Sequence, residues 1–283
     1  FPVVIKASGL AAGKGVIIAQ NLNEAIKAVE DIMVDEKFGN AGNQVVIEEF
    51  LDGVEASILS FTDSKVIVPL LSAKDHKKIG EDETGLNTGG MGVISPNPFV
   101  TDEIFEKFKS DIMEPTLKGM QSEGMDFAGV IFFGLMITKK GVYLLEYNMR
   151  MGDPETQAVL PLLENDLLEL IEKSFDKKLS EVKVNWKPLH SCCVVAAAGG
   201  YPESYRKGDE IAGVLDFKET ADNKVFICGA KVEDGKLLTN GGRVLNAVAL
   251  GNTLEEAQKK AYELLKTINF EGMYFRKDIG GRF

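Results

Sequence analysis

The sequence predicts an α+β protein with more than one domain. Short β-branched runs alternate with segments whose apolar residues recur at helical spacing. The chain has 283 residues, of which 45% are apolar, and this is more than one compact core usually requires. Its composition changes at residues 182–188, a linker-like stretch that holds the only tryptophan, Trp186. We therefore expect three domains, at residues 1–70, 71–188 and 189–283.

The first predicted domain begins with two strands joined by a small-residue loop. From Leu22 the apolar residues fall at helical spacing, which predicts a helix capped by Asn21 or Asn23. Residue 1 is Phe and a strand begins at once, so we expect the chain to be the C-terminal part of a longer protein. The strands predicted in this domain lie at residues 2–6, 15–19, 44–50, 55–61 and 66–71.

The second predicted domain opens with a polar, glycine-rich segment at residues 72–98. Loops of such length are usually functional or disordered, and we expect a mobile substrate loop here. A helix capped by Thr101 and interrupted at Pro115 follows. Beyond it the pattern predicts a hairpin and a helix, at residues 127–138, 142–147 and 160–173. The third predicted domain is a small α+β unit, with strands at 192–198, 224–232 and 244–250 and a helix at 253–267.

Charge and cysteine content exclude several classes of protein. The net charge is −11, whereas nucleic-acid and anionic-membrane surfaces need clustered cations, so we expect neither partner. The cysteines Cys192, Cys193 and Cys228 lack the spacing of a metal knuckle or a disulfide framework, which is typical of a reduced, cytoplasmic protein. The longest apolar stretch, residues 127–137, is far shorter than the roughly 18 residues that suggest a membrane span.

Glycines cluster between the first two predicted strands, in KASGLAAGKG from Lys6 to Gly15. Three residues separate Gly9 from Gly13, one fewer than in a Walker loop, and Gly15 follows Lys14 where that loop has Ser or Thr. A Walker loop also opens a helix, whereas a strand follows here. The segment fits a flap whose N–H groups meet phosphate oxygens while Lys6 adds a point charge. An ordinary hairpin turn is the alternative.

A strand runs into consecutive acids in VVIEEFLDGVE, residues 45–55. Backbone groups from Glu49 to Leu51 have the pattern of a nucleotide hinge that pairs with an adenine edge, and an acid there can accept both ribose hydroxyls. The alternative is an edge strand with solvated charges.

A strand farther along carries alternating polar residues. Glu146 and Asn148 are two positions apart and project from the same face. Two oxygen donors on one face suit Mg²⁺, which takes few protein ligands and shares the rest of its shell with phosphates and water, and Mn²⁺ accepts the same donors. Arg150 shares that face if the strand continues, and there it would stabilise charge that develops during a transfer. A polar strand end explains one such residue but explains three in alternation poorly.

The segment GDPETQ, residues 152–157, follows directly. Its carboxylates, on Asp153 and Glu155, can recognise an amine or sugar hydroxyls, or can cap the next helix. The two histidines, His76 and His190, are too sparse for a metal cluster and have no partnered serine or cysteine.

The flap lysine, the acidic hinge and the Glu-x-Asn-x-Arg strand, in this order, resemble the ATP-grasp superfamily, in which two α+β lobes close on ATP. Longer stretches resemble its phosphoribosylamine-glycine ligase family along almost the whole chain: PVVIKASGLAAGKGV, VIEEFLDGVEAS, DHKKIGEDETGLNTGGMG, EYNMRMGDPETQ, AAAGGYP, TNGGRVL and FRKDIG. The resemblance implies an ATP-grasp fold, with a small lobe at 1–70 and a large lobe at 71–188, followed by a small C-terminal α+β domain. It also implies that the family's N-terminal Rossmann-like domain is absent here.

The resemblance further implies a role for each motif residue. Glu146 and Asn148 would hold the metal, and Arg150 would steady the reacting phosphoryl group or oxyanion. The nucleotide contacts would come from Lys6, Gly9, Gly13, Lys14, Gly15, Glu48, Glu49, Phe50, Leu51 and Glu55, the last of these on the ribose. Residues of a loop that closes over the substrates, and residues near it, would be Asp75, His76, Lys77, Thr88, Gly89, Gly90, Asp153 and Glu155.

The activity implied is the ATP-dependent ligation of glycine to 5-phosphoribosylamine through glycyl phosphate, a step of purine biosynthesis, by a monomer that uses ATP and Mg²⁺ or Mn²⁺. Many ATP-grasp proteins have another carboxylate on the strand that corresponds to residues 134–137, and this sequence has none there. Two alternatives are a carboxylase that acts through carboxyphosphate, which DHKKIG and GDPETQ disfavour, and a nucleotide-binding module without turnover.

Overall fold

The computed structural model describes residues 1–9 and 15–281. It forms two compact units, one ending at Gly53 and the other beginning at Val54. Of the predicted nucleotide contacts, Gly13 and Lys14 lie outside the described residues. No helix in the described part of the chain is both long enough and apolar enough to cross a membrane.

The first unit is a three-stranded antiparallel sheet with one helix packed against it. The strands are β1 (Val3–Ala7), β2 (Val16–Ala19) and β3 (Val45–Glu49), in the spatial order β2-β1-β3. The helix α1 spans Leu22–Met33. Its apolar face places Ala28 and Ile32 against Ile5 of β1, and this contact anchors the helix on the sheet.

Asn21 begins helix α1, as the sequence predicts. Its side chain accepts a hydrogen bond from the N–H of Glu24 at 3.0 Å, and the Glu24 carboxylate accepts one from the N–H of Gln20 at 2.8 Å. This reciprocal pair satisfies two N–H groups that the helix itself cannot. The predicted strands and helix of this unit are confirmed.

The second unit is built on one eight-stranded antiparallel sheet. Its strands, in spatial order, are β10 (Gly141–Asn148), β9 (Gly129–Thr138), β4 (Val54–Thr62), β5 (Ile67–Asp75), β8 (Gly92–Ser95), β11 (His190–Ala197), β15 (Arg243–Gly251) and β12 (Asn223–Ile227). Two hairpins lie outside it: β6 (Lys78–Gly80) with β7 (Thr84–Asn87), and β13 (Ala230–Glu233) with β14 (Lys236–Thr239).

Helices cover both faces of this sheet. They are α2 (Asp102–Phe108), α3 (Glu114–Ser122), α4 (Glu155–Val159), α5 (Leu167–Phe175) and α6 (Leu254–Leu265). Phe108 and Phe133 pack in the core under α2 and α3, whereas Phe132 and Leu170 pack in the core on the opposite face. Because Phe132 and Phe133 are neighbours on β9, they mark the two faces of the strand.

The segment that contains α2 and α3 is one helical run with a defect. A π-helical turn at Lys109–Met113 joins the two helices directly before Pro115. Proline lacks the N–H that a regular α-helix would use there, so the predicted interruption at Pro115 is confirmed.

The predicted loop at residues 72–98 is wrong in part. This segment contains β6, β7 and β8, and β8 lies near the centre of the large sheet, where Val93 and Ile94 are fully buried. The strand has only the sequence GVIS between glycine and proline-containing flanks, a run too short to show a period.

The helix predicted at 160–173 begins later than expected. Residues 160–162 form a 3₁₀ turn, and α5 begins at Leu167 with Asp166 as its cap, whose carboxylate accepts from the N–H of Leu168 at 2.8 Å. Leu163 is extended and ends the 3₁₀ turn. The Leu-rich sequence therefore spans two separate elements.

The compact units differ from the expected domain boundaries. The first unit ends at Gly53 and not at residue 70, because β4 and β5 hydrogen-bond within the large sheet. Strand β8 pairs with β11, so this sheet continues across residue 189. The division of the family into three domains at the expected boundaries stays a prediction.

Candidate active site

In the first unit, two residues from separate predicted nucleotide motifs lie in contact. Lys6 on β1 pairs with Val46 and Glu48 on β3 pairs with Val4, which places Lys6 and Glu48 diagonally across the two strands. The Lys6 Nζ lies 2.6 Å from the Glu48 Oε2. The acid therefore holds the lysine at one position on the sheet.

The two ends of the glycine-rich loop are fixed by backbone contacts. The N–H of Ala7 donates to the carbonyl of Gly15, and the N–H of Gly9 donates to the carbonyl of Ala41, both at 2.9 Å. A Cβ on Gly9 would lie 2.5 Å from the Cα of Ala41, so only glycine fits this approach. The predicted hinge residues Glu49, Phe50 and Leu51 lie at the end of β3 and directly after it.

In the second unit, a row of residues crosses three strands on one face of the large sheet. Ser57 on β4 pairs with Gly134 on β9, and Gly134 pairs with Glu146 on β10. A Cβ on Gly134 would lie 3.0 Å from the Glu146 Cγ. Glycine at the centre of the row therefore leaves room for the carboxylate, and we call this side of the sheet the front face.

Two acids, the half-buried Asp75 and the buried Glu155, lie on the front face. The Ser57 hydroxyl donates to the Glu155 Oε1 at 3.3 Å, whereas the Asp75 Oδ1 is buried and has no hydrogen-bond partner among the described residues. Burial, followed by the charge of Glu155, raises the pKa of Asp75 well above its usual range. Burial also raises the pKa of Glu155. A buried acid without a donor is costly, so this pair is suited to receiving a proton or a bound cation.

Lys77 is the cation next to these acids. Its Nζ lies 2.6 Å from the Glu55 Oε2. Burial alone would lower the pKa of Lys77, but the charges of Glu55 and Asp75, with a smaller contribution from Glu146, raise it. The lysine therefore stays charged, and Glu55, predicted to bind ribose, has Lys77 as its partner.

The predicted metal ligands lie side by side on the front face. The Asn148 side-chain amide donates to the Glu146 Oε1 at 3.3 Å, and Glu146 is exposed. The described residues contain no group of three or more His, Cys, Asp or Glu arranged to hold a metal. Two neighbouring oxygen donors fit an ion such as Mg²⁺, which keeps most of its shell for other ligands.

Arg150 lies beyond the strand that was expected to carry it. Strand β10 ends at Asn148, so the condition under which Arg150 would share the face of Glu146 and Asn148 is not met. The Arg150 Nη1 donates to the carbonyl of Met151 at 2.9 Å. Its charge still acts on Glu155, where it opposes the rise in pKa caused by burial.

The predicted substrate segment at 88–90 packs directly on the acid pair. The Thr88 hydroxyl donates to the carbonyl of Lys77 at 2.8 Å and accepts from the N–H of Gly90 at 2.9 Å. Gly90 has a φ of +114°, and a Cβ on it would lie 2.7 Å from the Asp75 Oδ1 and 2.5 Å from the Pro154 Cδ. The structure therefore brings Asp75, Lys77, Thr88 and Gly90 together.

Two residues of the C-terminal third hold this segment and were missed from the sequence. The Arg243 Nη1 donates to the carbonyls of Gly89 and Asp153, at 2.6 and 2.8 Å. The Tyr201 hydroxyl accepts from the N–H of Gly89 at 2.9 Å. Both lie in stretches that carry the family resemblance, TNGGRVL and AAAGGYP, and an arginine directly after two glycines was the available signal.

Asp153 does not cap the following helix. Helix α4 begins after Pro154 without a side-chain cap. The Asp153 carboxylate instead accepts from the Gln157 amide at 2.9 Å and from the Arg243 Nη2 at 3.3 Å.

His76 is separated from the other predicted substrate residues. It is 3% exposed, and its Nδ1 lies 3.1 Å from the carbonyl of Gly92. The charges that act on it come from Arg276, Lys74 and Asp278, and burial together with the first two lowers its pKa to about 4. The imidazole is therefore neutral and lies on the side away from Asp75 and Lys77.

Two cavities lie on opposite sides of this region. One of about 420 Å³ adjoins the front face and is lined by residues that include Asp153, Gln157 and Cys228. A larger one of about 790 Å³ lies on the other face, under α3, and its lining includes Tyr147 and Asp111 but no described Lys or Arg. The lining of the smaller cavity contains no described Lys or Arg either, so neither lining supplies the cations that a phosphate requires. The front face is the candidate site because Lys77 lies there beside Asp75 and Glu155.

The antiparallel sheet with acids on one face, and the separate small sheet with a glycine-rich loop, define an ATP-grasp protein. Residues 1–156 match the family model of the phosphoribosylglycinamide synthetase ATP-grasp (A) domain, and residues 191–282 match that of the phosphoribosylglycinamide synthetase C domain. The chain belongs to the phosphoribosylglycinamide synthetase family.

Proteins similar in sequence to this chain are named phosphoribosylamine-glycine ligase. The chain is 59% identical over 281 residues to the phosphoribosylamine-glycine ligase of Fusobacterium nucleatum, and 56% identical over 280 residues to that of Clostridium acetobutylicum. Each match covers 99% of this chain and 66% of the relative. The chain thus spans just under two thirds of the length of these relatives.

Solved structures agree on the fold. The crystal structure of phosphoribosylamine-glycine ligase from Thermotoga maritima is 36% identical, with a TM-score of 0.89 over 98% of this chain and 68% of the other. A biotin carboxylase domain from Hydrogenobacter thermophilus, solved with MgADP and bicarbonate, is 14% identical, with a TM-score of 0.72 over 97% of this chain and 58% of the other. The second likeness shows the fold alone.

Proposed function

We propose that this chain carries the catalytic core of an enzyme that joins glycine to 5-phosphoribosylamine at the expense of ATP, giving glycinamide ribonucleotide, ADP and phosphate in purine biosynthesis. The observation that carries the proposal is the acid pair Asp75 and Glu155 beside Lys77 on the front face, with the Asp75 Oδ1 buried and unpartnered among the described residues. An acid pair with an unpartnered oxygen suits the ammonium group of an amino acid. The family and the names of the similar proteins support the same substrate.

The proposed reaction needs activation of a carboxylate. A glycine carboxylate oxygen attacks the γ-phosphorus of ATP, the bond to the β-phosphate oxygen breaks, and ADP leaves. The amine of phosphoribosylamine then attacks the carbonyl carbon of glycyl phosphate, inorganic phosphate leaves, and the nitrogen loses a proton. No protein nucleophile takes part, so catalysis depends on positioning, charge neutralisation and exclusion of water.

The acid pair has a specific task in this scheme. Glycine has its own amine, which would compete with that of phosphoribosylamine for the acyl phosphate. Asp75 and Glu155 would hold the glycine nitrogen as ammonium, and a protonated nitrogen has no lone pair with which to attack. Lys77 and Arg150 would face the negative charge that develops on the phosphoryl oxygens.

The remaining assignments follow the family. Glu146 and Asn148 would hold Mg²⁺, with Mn²⁺ as an alternative for the same donors, and the ion would neutralise phosphate oxygens. Glu55 would hold the ribose, exchanging its contact with Lys77. The other proposed nucleotide contacts are Lys6, Gly9, Gly15, Glu48, Glu49, Phe50 and Leu51, and we further propose a cytoplasmic monomer.

A carboxylase is the main alternative, because a protein of the same fold binds bicarbonate. Bicarbonate is an anion, and Asp75 and Glu155 would repel it. The acid pair therefore favours an amine-bearing substrate.

Trapping of the acyl phosphate tests the proposal. The chain is incubated with ATP, Mg²⁺, glycine and hydroxylamine, which converts glycyl phosphate to glycine hydroxamate, and ADP release is followed in parallel with fresh phosphoribosylamine. We expect glycine-dependent hydroxamate, and its loss in Asp75→Asn. ADP release that depends on bicarbonate would support a carboxylase, and ATP binding without turnover under any condition would leave a nucleotide-binding module.

A further inference from the structure

The hairpin formed by β6 and β7 leaves the front face at Lys77 and returns to it at Thr88. The N–H and the hydroxyl of Thr88 both donate to the carbonyl of Lys77, each at 2.8 Å. Next to them, the N–H of Met91 donates to the carbonyl of His76 at 2.8 Å. The base of the hairpin is thus part of the candidate site, and a movement of the hairpin moves Lys77.

The hairpin has little intrinsic stability. It pairs at only two positions, with a register break between them, and Asp82 and Glu83 at its turn have φ values of 54° and 55°. An isolated two-stranded ribbon is at best marginally stable in water, and left-handed backbone costs energy outside glycine. Contacts from elsewhere must therefore hold it.

A segment near the end of the chain, residues 274–278, supplies these contacts. The Arg276 guanidinium donates to the carbonyl of Lys78 at 3.0 Å and to the Glu83 Oε1 at 2.8 Å. The Tyr274 hydroxyl donates to the carbonyl of Ile79 at 2.7 Å. The Asp278 carboxylate accepts from the N–H of Asp82 at 2.9 Å. Strand β6 and the turn of the hairpin are therefore bonded to this segment.

Arg276 is the centre of this contact. It is 1% exposed, and besides the two hairpin groups it donates to both carboxylate oxygens of Asp278, at 2.8 and 2.7 Å. A buried charge is tolerated only when it is paired and hydrogen-bonded. Because one of its two acids, Glu83, lies on the hairpin, displacement of the hairpin would leave a buried guanidinium partly unpaired.

The segment is itself firmly attached to the sheet. Tyr274 and Ala197 exchange backbone hydrogen bonds at 2.9 and 2.8 Å, and the Tyr262 hydroxyl on α6 donates to the carbonyl of Arg276 at 2.7 Å. The C-terminal segment is therefore a fixed support, and the hairpin is the part that it holds.

We propose that Arg276 is a positioning residue for glycine binding: it fixes the β6–β7 hairpin and thereby the placement of Lys77 and Asp75. The charge of Arg276 acts on Lys74 and His76, which lie on the side of residues 74–77 away from the acid pair. Arg276 therefore acts on Lys77 and Asp75 through the backbone. The kinetic part of this inference rests on the proposed function.

A double variant tests it without leaving the arginine fully unpaired. Glu83→Gln removes the charge from one hairpin contact, Tyr274→Phe removes the hydroxyl of a second, and both keep the Asp278 partner. Asp82→Asn is the matched control, because it removes the neighbouring charge, keeps the N–H bond to Asp278, and Asn tolerates the left-handed backbone. Hydrogen exchange of residues 78–93 is measured by mass spectrometry on the full chain, and the glycine KM and kcat by hydroxamate formation.

We expect exchange at residues 78–93 to become about tenfold faster in the double variant, because the ion pair with Glu83 and the hydrogen bond from Tyr274 are lost. The glycine KM should rise by a similar factor, with a smaller change in kcat, and Asp82→Asn should match the wild type in both. Unchanged exchange in the double variant would overturn the anchor. Faster exchange with an unchanged glycine KM would overturn the positioning role.

Different results would contradict the proposed function and the positioning role of Arg276. If the wild type forms no hydroxamate, the proposed function fails, and exchange at the Thr88 and Met91 amides still decides whether the anchor fixes the base of the hairpin. If the wild type turns over and the double variant is indistinguishable from it, the inference about Arg276 fails alone.

Discussion

Arg243 binds Asp153 twice, at the backbone carbonyl and at the carboxylate, with Nη1 and Nη2 distances of 2.8 and 3.3 Å. The same guanidinium donates to the carbonyl of Gly89 at 2.6 Å. One side chain from β15 thus fixes the relative positions of two segments that border the acid pair. Planar geometry with several donors makes arginine suited to this task, and lysine cannot reproduce it.

Arg243→Lys should therefore weaken glycine binding without unfolding the chain. Loss of hydrogen bonds from a charged group typically costs about 1.5–3 kcal/mol, which corresponds to a rise of roughly tenfold or more in the glycine KM. Arg206→Lys is the control, because Arg206 is an exposed arginine whose partner, Asp209, lies three residues away. An unchanged glycine KM in Arg243→Lys would contradict the role given to this contact.

Glu146→Ala should abolish the effect of Mg²⁺ on nucleotide binding. With Asn148 as its neighbour at 3.3 Å, Glu146 is the charged member of the proposed ligand pair, and its loss should cost at least the roughly 10–100-fold in metal affinity that follows from removing outer-shell partners. Calorimetric titration with ADP in the presence and absence of Mg²⁺ measures this directly.

The control for the metal prediction is Glu169→Ala, which removes an exposed acid from α5. Equal Mg²⁺ enhancement in Glu146→Ala and the wild type would rule out Glu146 as a ligand. Circular dichroism should show the same fold in both variants, because Glu146 is exposed.

Local sequence patterns predicted the elements that carry their own signals. Helix α1 has an asparagine cap and an apolar face, and the β9–β10 hairpin has alternation and a glycine turn. The contact between Glu146 and Asn148 was also predictable, because the two residues lie two positions apart on one strand. The end of the alternation at Asn148 was not predictable, because nothing in the sequence marks the end of β10 before Arg150.

The rest of the site depends on pairing between distant strands. Arg243 reaches Gly89 because β15 lies beside β11 and β11 lies beside β8, an arrangement that no local period encodes. The same holds for Arg276, which meets the hairpin only after the chain has completed the sheet. The side chain of His76 lies on the face away from Asp75 and Lys77 because one position along an extended segment reverses the face of the side chain.

Glu155→Gln should raise stability at neutral pH while it removes activity. A carboxyl group with a raised pKa binds more protons in the folded than in the unfolded chain, so its contribution to stability is largest below the unfolded pKa of about 4.3 and declines as the pH rises through the folded value. Glutamine stays neutral and avoids this decline. Thermal unfolding from pH 4 to pH 8 should show a variant whose advantage grows with pH.

Glu164→Gln, an exposed acid, is the control for this titration and should follow the wild type throughout. A constant difference between Glu155→Gln and the wild type at every pH would contradict a raised pKa for Glu155.

His76 should make the fold sensitive to acid. Its pKa is lowered to about 4 by burial and by the charges of Arg276 and Lys74, whereas an unfolded histidine titrates near 6.5. The folded chain therefore binds fewer protons, and stability is lost as the pH falls from about 6.5 towards about 4, by roughly 3 kcal/mol in total. His76→Asn can keep the bond to Gly92 and should flatten this part of the curve.

His190→Asn provides the comparison, because it removes the other histidine and should keep the acid-dependent loss of stability. Denaturant unfolding at pH 7, 6, 5 and 4 measures the slope. If His76→Asn retained the wild-type slope, the assignment of the titrating group to His76 would be wrong.

Gly90→Ala should damage the acid pair and the fold together. The φ of +114° and the predicted contacts of a Cβ with the Asp75 Oδ1 at 2.7 Å and the Pro154 Cδ at 2.5 Å leave no room for a methyl group, so a loss of about 1–3 kcal/mol in the free energy of unfolding is expected. Gly119→Ala is the matched control, because nothing lies within 4 Å of a Cβ at that position in α3, and alanine there should add about 0.5–1 kcal/mol. Denaturant unfolding separates the two variants by the sign of the change in the free energy of unfolding.

The clash of a Cβ at Gly90 is directed at Asp75. Glycine-dependent hydroxamate formation should therefore fall in Gly90→Ala by more than its loss of folded protein explains. A fall proportional to the loss of folded protein would place Gly90 outside the site.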